Sequence, residues 1–446
     1  MKKGVFLLLF LILATGVPRA GFGQTGIRAE ADDPGLTIVN LDPELRRMNG
    51  VVSVEYLDPG PFREKYLVEV TQPLDYSDPE AGTFVQRFVV GYAGKDAPTV
   101  IVTEGYRADY ALKPEYREEI SARFGTNLVV VEHRYFAGST PSPRNWDYLT
   151  VAASMNDLHR IRTMLAPLYP EKWIATGISK GGTTTLMYKT YFPDDTDICV
   201  PYVGPVCFGV EDGRHEPFIA SRCGTPEQRE KVRTFQIRAL REREAIRPLF
   251  EAYCREKGLK FRIPTDEAYD YCVLEYSFAF WQWGVSPEDL PAEDASPKAV
   301  LDHLVKVVGP DYFAVNDEPS FFVQAARELG YYGYDVRPFR EWLTIGSARG
   351  YLRRIMLPED AKGIRFSRRV GRDVYRYLRR NDPKMICIYG EYDPWSAVAP
   401  DASLFEGKKN LQLVVKPAGS HRTRIGNLPE GMQGKVWDRL SRWLNE

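Results

Sequence analysis

The segment Trp173–Lys189, with the sequence WIATGISKGGTTTLMYK, constrains the fold of this chain more than any other. It opens with the apolar run Trp173 to Ala175, which predicts a buried strand. It then turns through glycines and continues in a helix-compatible sequence. A strand, a tight turn and a helix form the setting in which G-x-S-x-G presents a serine hydroxyl above a sheet. Ser179 is therefore the candidate nucleophile.

The glycines of this turn have a steric role. Gly177 and Gly181 flank backbone that must fold back sharply, where side chains would collide with the neighbouring strand and helix. The helix after Ser179 directs its free N–H groups at the site, which suits a developing oxyanion. We expect the backbone N–H of Lys180 to be one oxyanion donor. The Lys180 side chain is expected to point away from the nucleophile, and we assign it no proton transfer.

Composition limits the class of protein and its partners. The chain has 446 residues, 44% of them hydrophobic, which is ample for a large core with an inserted domain. Its formal net charge of −1 argues against a nucleic-acid partner or a strongly anionic substrate. The five histidines are scattered, without H-E-x-x-H or paired C-x-x-C motifs. We therefore expect no metal and no cofactor.

The N-terminus has the pattern of a secretory signal peptide. Lys2 and Lys3 precede an apolar run over residues 5–14, followed by small residues and Pro18. We expect residues 1–23 to be removed on export to the periplasm or the medium. The apolar run is short for a membrane span, so no stable membrane anchor is expected after cleavage.

The cysteines could form a few disulfides in an exported chain. The candidate pairs close in sequence are Cys207 with Cys223 and Cys254 with Cys272. Cys199 and Cys387 lie in strand-like runs and are predicted to be buried free thiols. Spacing alone does not set the connectivity.

Strands and helices alternate over residues 24–209, which predicts a mostly parallel sheet with helices on both faces. The predicted strands are Phe62–Thr71, Thr83–Tyr92, Thr99–Thr103, Leu128–Glu132, 173–175, Ile198–Val203, 385–390 and Leu411–Val415. The region 210–382 is rich in charged helical segments and predicts an inserted helical cap, and residues 383–446 complete the core. The predicted helices are Pro114–Phe124, Thr150–Leu168, Pro226–Tyr253, a stretch ending at Trp283, Pro297–Val307, Pro319–Glu328, Phe339–Ile345 and Met432–Leu444.

Two residues after late strands complete a candidate catalytic triad. Asp393 follows the strand at 385–390, and His421 follows the last strand. The order Ser, Asp, His is that of the α/β-hydrolase fold, which we predict here. A serine hydroxyl needs an imidazole to take its proton, and the imidazole needs a carboxylate to fix its tautomer. His133 is the second-ranked base, because it precedes the nucleophile in the chain.

The second oxyanion donor should come from the loop after the strand that ends at Thr103. The backbone N–H of Gly105 is the first candidate and that of Tyr106 the second. The alternative for Gly105 is an ordinary turn glycine.

Several motifs in combination carry a family resemblance. They are TEGY at 103–106, VEHRYFAGSTP at 131–141, TGISKGG at 176–182, YFPDD at 191–195, GEYDPW at 390–395 and GSH at 419–421. The chain resembles the secreted proline-specific tripeptidyl/tetrapeptidyl aminopeptidases, serine peptidases related to lysosomal prolyl carboxypeptidases and dipeptidyl peptidases. The resemblance implies an exported exopeptidase that releases short N-terminal peptides after proline, with Ser179, Asp393 and His421 as triad. Its substrates would be peptides with proline near a free N-terminus.

A peptide substrate of this kind needs a carboxylate for its ammonium and an apolar slot for proline. The candidate carboxylates are Glu104, Glu132, Glu211, Asp212 and Glu275, although a single carboxylate of this kind is more often structural than functional. The candidate aromatic walls are Trp281 and Trp283, in the densest aromatic run of the cap, and Trp395. Packing in the cap core is an equal alternative for the first two.

Three other functions remain open at this point. They are a carboxypeptidase or dipeptidyl peptidase of the lysosomal type, a secreted esterase or lipase, and a hydrolase-like binding protein. Peptide length, oligomeric state and disulfide connectivity do not follow from the sequence.

Overall fold

The computed structural model describes residues 40–316 and 318–446. Its centre is one nine-stranded sheet. The strands are β1 Val51–Tyr56, β2 Glu64–Pro73, β3 Thr83–Tyr92, β4 Thr99–Thr103, β5 Asn127–Val131, β6 Trp173–Ile178, β7 Ile198–Tyr202, β8 Met385–Gly390 and β9 Leu411–Lys416. Their order across the sheet is β1-β2-β3-β5-β4-β6-β7-β8-β9.

The direction of the strands divides the sheet into two parts. β1, β2 and β3 pair antiparallel, as does β3 with β5, whereas every pair from β5 through β4 to β9 is parallel. Because β4 and β5 exchange places, the chain reverses direction across the sheet at β4. This topology is the α/β-hydrolase fold, and the predicted fold class is confirmed.

The central strands are apolar on both faces, as a covered parallel sheet requires. In β4, Val100 and Val102 belong to the hydrophobic cluster on one face and Ile101 to the cluster on the other. In β6, Ile174 and Ala175 divide in the same way. The period of two along each strand therefore places two cores back to back.

Helices cover both faces of this sheet and build the cap. They are α1 Leu41–Arg47, α2 Glu119–Phe124, α3 Val151–Leu165, α4 Lys180–Tyr191, α5 His215–Ser221, α6 Pro226–Arg241, α7 Arg243–Glu256, α8 Thr265–Trp283, α9 Pro297–Val307, α10 Ser320–Gln324, α11 Arg369–Arg380 and α12 Glu430–Asn445. Buried residues of α1, α3, α4 and α11 join one sheet cluster, and those of α2 and α12 join the other. The predicted helices on both faces are therefore observed.

A third hydrophobic cluster lies outside the sheet. Helices α6 to α10 supply most of it, and Trp395 and Val398 from the loop after β8 also belong to it. Helix α8 is buried almost all round, so it forms the centre of this cluster. Helix α11 lies within the predicted cap range 210–382 but packs with the sheet. The limits of the cap stay a prediction.

Some predicted elements were wrong in position or kind. Phe339–Ile345 was predicted as a helix, but only the 3₁₀ turn Arg337–Phe339 forms there. The Asp270 carboxylate accepts the backbone N–H groups of Thr344 and Ile345, which replaces helical hydrogen bonds. The prediction also missed β1, joined α6 and α7 into one helix, and began α2 too early.

The six cysteines are all buried free thiols, so neither candidate disulfide forms. The prediction for Cys199 and Cys387 is confirmed. The predicted signal peptide lies outside the described residues. Within residues 40–316 and 318–446, no helix is long and apolar enough to cross a membrane.

Candidate active site

Ser179 occupies a strained turn between β6 and α4. Its backbone has φ 58° and ψ −121°, a region that side-chain-bearing residues rarely adopt. The turn is held because the Ser179 N–H donates to the Tyr202 carbonyl over 2.9 Å, and the Thr183 N–H donates to the Ser179 carbonyl over 2.9 Å. The observed strand, turn and helix are those expected of a nucleophile elbow.

Close backbone packing explains the glycines around Ser179. A Cβ atom at Gly177 would lie 2.4 Å from the Gly181 carbonyl oxygen and 2.9 Å from that of Thr103. A Cβ atom at Gly182 would lie 2.4 Å from the Tyr202 carbonyl oxygen. All three contacts are to backbone, which cannot move aside as a flexible side chain can.

The substitution Gly177→Ala is therefore expected to lower the free energy of unfolding by about 3 kcal/mol, within the range for overpacked interiors. Urea titration followed by circular dichroism measures the change. Gly363→Ala is the matched control, because no atom lies within 4 Å of a Cβ there. Equal stability of the two variants would contradict the steric argument.

Asp393 and His421 meet at the ends of β8 and β9. The Nδ1 atom of His421 lies 2.6 Å from Oδ2 of Asp393, and both side chains are buried. The other carboxylate oxygen accepts the Trp395 backbone N–H over 3.1 Å. Nε2 of His421 is buried and, among the described residues, has no hydrogen-bond partner. With Nδ1 bound to the carboxylate, Nε2 is the ring atom that could accept a proton.

The loop after β9, which carries His421 and is called the histidine loop here, is fixed to both the cap and the sheet. The His421 N–H donates to the Gln282 carbonyl at the end of α8 over 3.0 Å. The Arg424 guanidinium donates to the His421 carbonyl over 3.1 Å. At the end of β8, a Cβ atom on Gly390 would lie 2.4 Å from the Ser420 carbonyl oxygen. The ring of His421 is thus held by contacts from two layers.

Tyr106 contacts the Ser179 side chain. The two hydroxyls lie next to each other. Burial, with the charges of Tyr331 and Glu104, raises the pKa of Tyr106 well above its usual value. The phenol therefore stays protonated at neutral pH and can donate.

The backbone N–H groups of Gly105 and Tyr106, the two candidates for the second oxyanion donor, both donate to a carboxylate. Oε2 of Glu104 accepts from the Gly105 N–H over 3.0 Å and from the Tyr106 N–H over 3.3 Å. Its Oε1 accepts from the Tyr110 hydroxyl over 2.5 Å. Burial raises the pKa of Glu104, and these three hydrogen bonds oppose that shift. In this structure the Glu104 side chain caps its own turn.

The Lys180 side chain lies on the same turn. Its ammonium donates to the Gly105 carbonyl and lies 5.4 Å from the ring centre of Tyr106 and 4.8 Å from that of Phe136. Burial holds the pKa of Lys180 well below its usual range, and Glu104 opposes the shift. A Cβ atom on Gly105 would lie 2.5 Å from Cγ of this lysine. Gly105 is therefore more than an ordinary turn glycine.

His133, the second-ranked base, lies in a different environment. Its Nδ1 is 2.9 Å from the carbonyl oxygen of Arg134, and burial holds its pKa well below the usual value. No carboxylate bond to this ring is present among the described residues. The Asp393–His421 pair is thus the better fit to a catalytic base.

Three of the candidate carboxylates carry structural contacts. Glu132 binds the Arg87 guanidinium, and Asp212 binds that of Arg214. Glu211 accepts the Gly350 N–H over 2.6 Å. These contacts favour the structural interpretation.

Glu275 differs from the other candidate carboxylates in its partners. It accepts hydrogen bonds from the hydroxyls of Tyr332, over 2.9 and 3.0 Å, and Tyr334, over 2.7 Å. Both partners are neutral, so burial raises the pKa of Glu275 to about 8. A carboxyl group with no cation beside it is available to a cationic ligand.

An aromatic arc runs from the turn beside Ser179 to the loop after β8 that carries Asp393, which we call the acid loop. It runs from Tyr106 to Phe321 (5.6 Å between ring centres), to Tyr331 (5.5 Å) and to Trp395 (5.4 Å). The ring of Trp395 then lies 6.3 Å from that of His421. The cap members of this arc, Phe321 and Tyr331, are not among the residues predicted from the sequence, although the dense tyrosine run at 331–334 is a usable signal.

The other two candidate tryptophans occupy different places. Trp283 is partly buried, with its ring 6.4 Å from that of His421. Trp281 is buried in the cap core, against Phe280 and Tyr392. Of these two, Trp283 is the one that lies beside His421.

The arrangement of elbow, acid loop and histidine loop invites comparison with known peptidases. The model of the PS-10 peptidase S37 family matches residues 38–444. The chain belongs to this family. The prolyl tri/tetrapeptidyl aminopeptidase of Streptomyces mobaraensis is 27% identical over 456 residues, which cover 99% of this chain and 92% of the relative. The predicted family resemblance is confirmed.

Two solved structures are similar to this peptidase at low identity. VinJ has a TM-score of 0.45 and 15% identity, over 84% of this chain and 98% of its own. The proline iminopeptidase of Mycobacterium smegmatis has a TM-score of 0.41 and 13% identity, over 88% of this chain and 99% of its own.

Proposed function

We propose that this S37 peptidase is an exported serine aminopeptidase that releases short N-terminal peptides by cleavage after proline through an acyl-enzyme. The observation that carries the proposal is the buried Asp393–His421 pair, with the unpartnered Nε2 of His421, at the same sheet edge as the Ser179 elbow. The relative from Streptomyces mobaraensis supports the substrate class. Export is proposed from Lys2, Lys3 and the apolar run at 5–14.

The three side chains have distinct roles in the proposed reaction. Oγ of Ser179 attacks the carbonyl carbon after proline while its proton moves to Nε2 of His421. The Asp393 carboxylate stabilises the imidazolium and fixes the ring. The imidazolium then protonates the leaving amine as the acyl-enzyme forms. Water then attacks the acyl-enzyme, with His421 again taking the proton, and the peptide acid is released.

The aromatic arc supports the preference for proline. Its rings are rigid and apolar, and they lie between the nucleophile turn and the acid loop. A pyrrolidine ring has little conformational entropy to lose and gains from contact with flat aromatic faces. We place the proline against Trp395 and Tyr331, with Trp283 also beside His421.

Among the candidate carboxylates, we propose Glu275 as the group that binds the substrate ammonium. Its partner Tyr332 lies 5.3 Å from Trp395 between ring centres, which connects it to the proline wall. Burial without a cation raises the pKa of Glu275 to about 8. An arriving ammonium would restore the charged form and gain a charge-assisted hydrogen bond.

A peptide panel tests the substrate class. Tri- and tetrapeptidyl-proline aryl amides with free N-termini are compared with acetylated copies, with dipeptidyl amides, with C-terminal Pro-X peptides and with short acyl esters. The proposal requires the free tri- or tetrapeptide amides to have the highest kcat/KM. Faster turnover of C-terminal Pro-X peptides would identify a carboxypeptidase instead, and faster turnover of esters an esterase.

The substitution Glu275→Gln tests the ammonium site. We expect kcat/KM for free-amine substrates to fall about 10- to 100-fold, the effect of one hydrogen bond to a charged group. Acetylated substrates should change little, because they carry no ammonium. The control is Glu359→Gln, whose carboxylate is exposed and pairs with Lys362. Equal losses on free and acetylated substrates would assign Glu275 a structural role.

A further inference from the structure

In the turn after β4, the backbone N–H groups expected to bind an oxyanion already have an acceptor. Glu104 accepts both the Gly105 and the Tyr106 backbone N–H, the groups expected to stabilise a developing oxyanion. The Ser179 hydroxyl lies next to the Tyr106 hydroxyl, while Nε2 of His421 has no hydrogen-bond partner among the described residues. The group that the turn presents to the nucleophile is therefore a phenol.

We propose that the Tyr106 hydroxyl is a catalytic oxyanion donor, which lies beside the Ser179 hydroxyl in the free enzyme and binds the substrate carbonyl oxygen during acylation. The proposal rests on the acyl-enzyme mechanism above and adds a residue to it. It also assigns the second donor beside the Lys180 N–H to a side chain, in place of the backbone of residues 105 and 106.

The position of the phenol is well defined. The Tyr106 ring contacts Phe136 edge-on at 5.7 Å and Phe321 at 5.6 Å, and the Lys180 ammonium lies 5.4 Å from its centre. Its backbone carbonyl accepts the His133 N–H over 3.1 Å. A donor fixed in advance stabilises a transition state without reorganisation at the moment of reaction.

Glu104 and Lys180 act as positioning residues for this phenol. The carbonyl of Gly105 and the N–H of Tyr106 belong to one planar trans peptide, so they point in opposite directions. The Lys180 ammonium binds the first and the Glu104 carboxylate the second. The two side chains therefore clamp the peptide that carries the Tyr106 side chain.

The proposed step balances in protons and electrons. The serine Oγ–carbon bond forms as the carbonyl π bond breaks, and the electron pair goes to the carbonyl oxygen. The serine proton goes to Nε2 of His421. The Tyr106 O–H donates to the new oxyanion and keeps its proton, since burial raises the pKa of this phenol well above its usual value.

The substitution Tyr106→Phe removes one oxygen atom and tests the proposal. We expect kcat to fall about 10²- to 10³-fold, as for the loss of one oxyanion donor, with KM within about threefold. The melting temperature should change by no more than that of the control. The control is Tyr169→Phe, because the Tyr169 hydroxyl is buried without a partner in the described structure and lies in the sheet core. That variant should keep wild-type kcat.

Two outcomes would overturn the assignment. One is a folded Tyr106→Phe variant with kcat within threefold of wild type, and the other is a rise in KM alone. If the variant does not fold, 3-fluorotyrosine at position 106 keeps the shape and makes the phenol more acidic. It should then change kcat and leave KM unaffected, because the strength of the donor matters only in the transition state, and a kcat equal to wild type would refute the role. Full activity of Ser179→Ala would instead refute the underlying mechanism.

Discussion

Replacing Ser179 by alanine is expected to lower kcat by about 10⁴-fold or more, which leaves only the turnover that binding and oxyanion contacts support. The physical reason is that no other hydroxyl in the elbow is presented above the sheet at a positive φ. The fold should survive, because the substitution removes only the side-chain hydroxyl and leaves the backbone bonds of the turn intact.

Steady-state kinetics on a tripeptidyl-proline aryl amide measures this loss, and a fluorophosphonate probe measures labelling of the same residue. The matched control is Ser121→Ala, a buried serine whose hydroxyl donates to the Thr126 carbonyl over 3.3 Å, within the same helix-to-strand connection. Wild type and the control should both be labelled. Turnover of Ser179→Ala above about 1% of the wild-type rate would be incompatible with a serine nucleophile at this position.

The nucleophile turn could be predicted because its determinants are local. A buried strand, three glycines and a helix-compatible run lie within seventeen consecutive residues, and the steric demands on Gly177 and Gly182 act inside that segment or on adjacent strands. Asp393 and His421 could be proposed because the carboxyl ends of parallel strands meet at one sheet edge. Their contact then follows from topology.

The substrate side of the site could not be predicted in the same way. Tyr106 and Tyr331 are separated by more than two hundred residues, and helical periodicity indicates that a cap residue is buried without indicating its partner. Glu104 illustrates the same limit. A carboxylate after a strand could bind an ammonium or its own backbone, and only the fold of the turn decides, here for the Gly105 and Tyr106 N–H groups.

The cap also shows how a buried acid changes local structure. The segment 339–345 has apolar residues at a helical spacing, yet its N–H groups at Thr344 and Ile345 bind Asp270 of α8. Asp270 is fully buried and also pairs with Arg243, so it recruits donors from the nearest backbone. A charge in the interior thus competes with helix formation at a distant segment.

The substitution Asp393→Asn is expected to lower kcat about 10⁴-fold with little change in KM. An asparagine can present its N–H₂ group to Nδ1 of His421, which would move the imidazole proton to Nε2. The ring could then no longer accept the serine proton. The loop should keep its shape, because the asparagine oxygen can still accept the Trp395 N–H.

Asp401→Asn provides the control, since Asp401 is exposed at the start of a 3₁₀ turn further along the same loop. It should leave kcat unchanged, and the melting temperatures of both variants should stay close to wild type. Proton NMR of His421 would follow the tautomer directly. If Asp393→Asn kept more than a tenth of the wild-type kcat, the 2.6 Å contact to His421 would be structural, and the base would have to be oriented by another group.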